Sequence, residues 1–77
     1  MSILEPAVYR IRILGILDKT WSDYCRGMQI VHEGTEQHHA MTVLLGRLAD
    51  QSALIGVLNA LFDIGYPILS VEYLETR

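Results

Sequence analysis

The stretch from Asp50 to Pro67 limits the possible folds of this chain more than any other. Ala53, Leu54, Val57, Leu58, Leu61 and Ile64 recur at spacings of three and four, the period of one helix face. Asp50 is a capping residue before the run, Gly65 a stop after it, and Pro67 follows two residues beyond the glycine. The pattern predicts one helix of about four turns. Its solvent face carries Gln51, Ser52, Asn59 and Asp63. Ile55 and Phe62 add a second apolar stripe on the flank, wider than a single sheet contact requires, and their place in core or interface stays open.

The rest of the chain reads mostly as strands. In Tyr9-Arg10-Ile11-Arg12-Ile13 the apolar residues alternate with arginines, so residues 7–14 are a half-buried strand ended by Gly15. Residues 20–26 then suit a short helix with Thr20 as N-cap and Gly27 past its end, or a mere turn. A second strand covers residues 28–33, a polar loop 34–39, and a third strand 41–45, in a hairpin whose register the pattern leaves unsettled. Residues 68–74 alternate again, with Leu69, Val71 and Tyr73 together. The ends, 1–6 and 75–77, read as frayed.

The expected fold class is therefore α+β, a ferredoxin-like split βαβ of order β-α-β-β-α-β with a short first helix. Right-handed crossovers place its first and third strands at the centre of an antiparallel sheet, with the helices on one face. A βββαβ meander with one helix is the alternative. The chain is one small domain, 1–77, with an ordered core of about residues 7–74. Expected core residues are Tyr9, Ile11, Ile13, Trp21, Ile30, Val43, Leu45, Leu54, Val57, Leu58, Leu61, Leu69 and Val71, although Trp21 equally suits a displayed contact. The opposite sheet face would hold Val8, Arg10, Arg12, Leu14, Thr42, Leu44, Ile68, Ser70, Glu72 and Leu74, half of them apolar.

Composition excludes several functions. Six basic residues, of which only Lys19 is a lysine, face nine acidic ones for a net charge of −3, the wrong sign for binding phosphate backbones, so nucleic acid is not expected. One cysteine, Cys25, allows no internal disulfide and no Cys-x-x-Cys metal site, which fits a reducing cytoplasm. The N-terminus lacks the basic and apolar regions of a signal peptide, and Asn59 interrupts the greasiest stretch, so neither export nor membrane spanning is expected. With 51% hydrophobic residues in 77, a domain burying only about 60% of its unfolded surface leaves apolar area exposed, so self-association is expected.

Candidate chemistry centres on Arg10 and Arg12. Two residues apart on one strand, their guanidinium groups project from the same face about 7 Å apart, a spacing that grips a carboxylate or phosphate. Glu72, on a strand expected beside the first, is their cross-strand partner in a structural ion pair at an interface. His32, His38 and His39, near Glu33 and Glu36, invite a metal, but consecutive strand residues point apart and no HExxH motif is present, so a solvated loop is the reading and no metal is expected. Cys25 beside Arg26 resembles an activated thiol, yet no assisting base is placed by spacing and packed core is the reading. Asp18 and Asp23 suit turns and caps, with Tyr24 beside them. Leu45 to Gln51 joins a strand to a helix start without a glycine-rich phosphate loop, so capping explains Asp50. No catalytic set and no cofactor site emerge.

Tyr9-x-Ile11-Arg12-x-x-Gly15, Trp21-Ser22, Gly27-Met28, the run Thr42-x-Leu44-x-Gly46-x-Leu48-x-Asp50-Gln51-x-Ala53-Leu54-x-Gly56-x-Leu58 and Gly65-x-Pro67-x-Leu69-Ser70-Val71 together resemble a family of small uncharacterised bacterial proteins. That family occurs in cyanobacteria, actinobacteria and related groups. The likeness covers about residues 8 to 73 and implies a complete stand-alone protein. The family carries no established activity or catalytic residues, so the resemblance supplies no site. The function expected from the residues is non-enzymatic homo-oligomerisation or protein-partner binding through the open sheet face and strand edges. One alternative is an ACT-like regulatory module holding a small anionic metabolite near Arg10 and Arg12; another is a small dimeric ferredoxin-like α+β barrel enzyme.

Overall fold

The computed structural model describes residues 6–34 and 40–76. Its elements are β1 (Ala7–Leu14), a 3-10 helix (Lys19–Cys25), β2 (Gln29–Glu33), β3 (Met41–Leu48), α1 (Gln51–Ile64) and β4 (Ile68–Thr76). The four strands form one antiparallel sheet in the order β2-β3-β1-β4, with β1 and β3 at its centre. This is an α+β architecture with one main helix.

Capping fixes the helix ends. The Asp50 carboxylate accepts from the Ala53 amide at 2.8 Å, and Gly65 closes α1 at a φ of 102°, a left-handed conformation a side chain would oppose. The first helix is a 3-10 segment rather than an α-helix. Its cap is Asp18, not Thr20: the Asp18 side chain accepts from the Thr20 amide at 2.9 Å. Arg26 takes the left-handed C-cap position, with Gly27 also at positive φ.

The core lies between the sheet and these two helices. Tyr9, Ile11 and Ile13 of β1 meet Ile30, Leu44 and Leu48 of the neighbouring strands, and Val57 and Leu61 of α1 close over them with Leu17, Cys25 and Met28. The β3 register differs by one residue from the expected core. Ile11 pairs with Leu44 and Ile13 with Thr42, so Leu44 and Thr42 point inward while Val43 and Leu45 belong to the open face. A buried hydroxyl is tolerated there because Thr42 Oγ1 accepts from the Leu17 amide at 2.9 Å and donates to the Gly15 carbonyl at 2.7 Å. Gly46 is needed on the same inner row, where a Cβ would come within 3.2 Å of the Met28 Cα.

Corrections at β4 have a related cause. Its pairing with β1 shifts between Arg12 and Ile13 and again between Val8 and Tyr9, and the first bulge brings Ile68 opposite inward-facing Ile13 rather than onto the open face. Leu69, Val71 and Trp21, expected in the core, are exposed. Residues 75 and 76 are part of β4 and not a frayed end; the ends 1–5 and 77 lie outside the described residues.

Val71 and Tyr73 pair with inward-facing Ile11 and Tyr9, so they lie on the helix side of the sheet, yet the helices of the described residues leave them exposed. The reason is width. Four strands at about 4.8 Å spacing span roughly 14 Å, whereas one helix about 10 Å across covers about two. The 3-10 helix lies against β2 and α1. Gly56 lies on the flank of α1 beside the 3-10 helix, where a Cβ would come within 3.0 Å of the Arg26 guanidinium. The opposite flank, Leu54 and Leu58 followed by Ile55 and Phe62, therefore turns toward the β4 side.

Candidate functional site

The open face, which no helix of the described chain crosses, carries the expected cluster. Strand alternation puts Arg10 and Arg12 on this side, and the β4 register sets Glu72 opposite Arg10 and Ser70 opposite Arg12. Arg10 grips Glu72 with two bonds, Nε to Oε1 and Nη2 to Oε2, both 2.9 Å, while Arg12 Nη1 donates to the same Oε1. Each of the three side chains is about a third exposed. A carboxylate forked by one guanidinium and capped by another is the bidentate geometry arginine favours.

Electrostatics follow the geometry. Hydrogen bonding to Arg10 leads the causes that push the Glu72 carboxyl from 4.5 to about 2, with Arg12 adding a further bond and both charges helping. Glu72 in turn raises Arg10, with a smaller contribution from Glu33. One carboxylate between two arginines leaves this spot one charge positive. Arg47 and the carboxylates Glu33 and Glu75 share the face, which is neutral overall with three arginines and three glutamates. Val8, Leu14, Met41 and Leu45 are half-buried among these charges, and Val43 opposite Arg12 is only 5% exposed. Long side chains with apolar stems shield it without a covering layer. Ser70 Oγ is buried beside Arg12 with no hydrogen-bond partner.

The other candidates do not gather into a site. His32 Nε2 lies 2.6 Å from the Leu17 carbonyl and so serves to tie the 16–18 loop to β2; Glu36, His38 and His39 lie outside the described residues. Among the described residues, no group of three or more His, Cys, Asp or Glu could hold a metal. Cys25 is fully buried and burial pushes its thiol up, away from the thiolate a nucleophile needs. The Asp18 carboxyl is lowered, chiefly by the Thr20 backbone amide, in keeping with its cap role. Tyr24 stacks edge-on against Trp21, their centroids 5.3 Å apart. Two open depressions of about 400 and 240 Å³ are lined by Pro6, Arg47 and Ala49 and by Phe62, Gly65, Tyr66 and Pro67, and these residues pair no acid with a base.

The inward and outward rows of β3 are what the sequence pattern placed wrongly. Arg47 is the signal that places them. A charged residue belongs outside, and with the strand extended to Leu48 its parity carries Val43 and Leu45 outward with it.

Among protein families, the one described as "Domain of unknown function (DUF8691)" matches residues 8–72. The chain belongs to this family. The DUF8691 match takes in Arg10, Arg12 and Glu72 and all of α1. No curated protein and no solved structure matches the chain. No helix among the described residues is long and apolar enough to cross a membrane.

Proposed function

We propose that this DUF8691 chain is a non-enzymatic bacterial association module, working in the cytoplasm, whose open sheet face docks a second copy of itself. One observation carries the reading: a four-stranded face with no helix of the described residues over it sets Val8, Leu14, Met41 and Leu45 around a fixed ion cluster. Burial of such a face is favoured because Glu72 is already held by Arg10 and Arg12 and the apolar residues around them gain shelter. The fold is taken as a ferredoxin-like split βαβ whose first crossover helix has contracted to the 3-10 segment. The element order and the central position of β1 and β3 support this. A buried, reduced Cys25 suits a reducing compartment.

The test is the mass in solution. Light scattering on the wild-type chain should give an oligomer at micromolar concentration. Leu45→Lys, which sets a charge on the open face beside Arg10, should lower that mass while leaving a cooperative thermal melt. A monomeric wild-type chain overturns the reading, and so does an oligomer that Leu45→Lys leaves intact.

A second reading has its own observation, the single carboxylate shared by two guanidinium groups. Arg12 spends one nitrogen on Glu72, so its remaining donors are open to a small anionic metabolite in the manner of an ACT-like regulatory module. Saturable thermal shifts with amino acids or nucleotides, lost in Arg12→Ala, would favour it over plain association.

A further inference from the structure

We infer that β4 is a second self-association edge, pairing antiparallel with β4 of another copy to join two sheets into one of eight strands. The inference rests on the reading that the chain self-associates, and it adds an edge and a geometry. The two sheet edges are built differently. β2 is five residues long and exposes one apolar residue, Val31, among Gln29, His32 and Glu33, so it is a short edge with little to pair on. β4 is nine residues long, holds no lysine or proline, and exposes Leu69 (49%), Val71 (41%) and Tyr73 (45%). Its central charge, Glu72, is held by Arg10 and Arg12, so it does not meet the same residue of a second copy as a free carboxylate.

The occupant follows from the shape of the gap. α1 joins β3 to β4 and packs on the inner face of the sheet, leaving the inner row of β4 only partly covered, with Val71 41% and Tyr73 45% exposed. Pairing two copies of β4 about a two-fold axis normal to the sheet separates the two β1 strands by three spacings, about 14 Å. Helices pack about 10 Å apart. The α1 flanks of both copies therefore face each other across a floor of Val71 and Tyr73, and Phe62 (76% exposed) and Ile55 (56%) fill the remaining space. At ~150–200 Å² for a large side chain, the exposed parts of Leu69, Val71, Tyr73, Ile55 and Phe62 come to about 400–530 Å². A standard homodimer interface of about 800 Å² per partner, about 65% apolar, needs a similar amount. One copy supplies both the strand and the helix flank that close the groove of the other.

The experiment compares wild-type, Val71→Lys, Phe62→Glu and Leu45→Lys chains by light scattering and by hydrogen exchange of the β4 amides. Val71 and Phe62 are exposed, so a charge at either leaves the fold intact, checked by a cooperative melt. The expected result is an oligomer whose mass falls in Val71→Lys and in Phe62→Glu, with β4 amides slow to exchange in the wild-type chain and at least tenfold faster in both variants. Leu45→Lys should keep the slow β4 amides. An oligomer whose mass and β4 protection survive Val71→Lys and Phe62→Glu overturns the β4 edge. If only Leu45→Lys lowers the mass, the open face alone stands; if only the other two do, the β4 edge alone stands. A wild-type monomer overturns both.

Discussion

Glu72 makes the strongest electrostatic statement in the molecule, and its sign is fixed by the direction of its shift. Its carboxyl is lowered from 4.5 to about 2 because the folded chain holds the charged form between two guanidinium groups. The stabilisation is fully present above pH 4.5 and is lost as pH falls through the window down to about 2. Glu72→Gln should therefore melt below the wild-type chain at neutral pH, with the gap closing over that window. A melting-temperature difference that stays constant from pH 6 to pH 2 would mean the ion cluster contributes nothing. Ser70 is a neighbour with the opposite character. Its hydroxyl is buried without a partner, a condition that costs about 1–3 kcal/mol, so Ser70→Ala should raise stability by about 1 kcal/mol. In a domain this small that is a rise of ~4–8 °C in melting temperature, and a fall would show that the hydroxyl has a partner in solution.

At the level of elements, α1 was the most legible part of the chain because cap, period and stop all act locally. Asp50, the apolar spacing and Gly65 each specify the same boundaries without reference to the sheet. Asp50→Ala should accordingly cost about 1 kcal/mol, read from denaturant or thermal unfolding; an unchanged midpoint would mean that the sheet holds the helix start without its cap. The strands were legible in position but not in facing. β1 announces its faces through two arginines, whereas Met41-Thr42-Val43-Leu44-Leu45 offers one polar residue, Thr42, which points inward because the 15–17 loop supplies both its hydrogen bonds. That compensation comes from residues 25 and more positions away, beyond the reach of any local pattern. β4 was misread for a different reason: its bulges reset the alternation within the strand, so a strict period of two misplaces Ile68. The ion cluster itself was readable, since Arg10 and Glu72 needed only strand adjacency and parity to be brought together.

For the whole molecule, the governing fact is the missing half-layer. One α-helix and one 3-10 segment cannot cover both ends of a four-stranded sheet, so the apolar half of this short chain is distributed between a core under α1 and a bare strip beside it. A monomer keeps that strip in water, while association removes it and couples stability to concentration. Assembly that binds only folded chains raises the melting temperature as protein is added, because mass action favours the bound folded state. The wild-type melting temperature should therefore climb measurably between about 1 and 100 μM, a range spanning typical dissociation constants for weak self-association. A chain carrying both Leu45→Lys and Val71→Lys, charged on the open face and on the β4 strip, should melt at one temperature throughout that range. Concentration-independent melting of the wild-type chain would instead mean that sheet and helices suffice alone and that the strip meets no second copy.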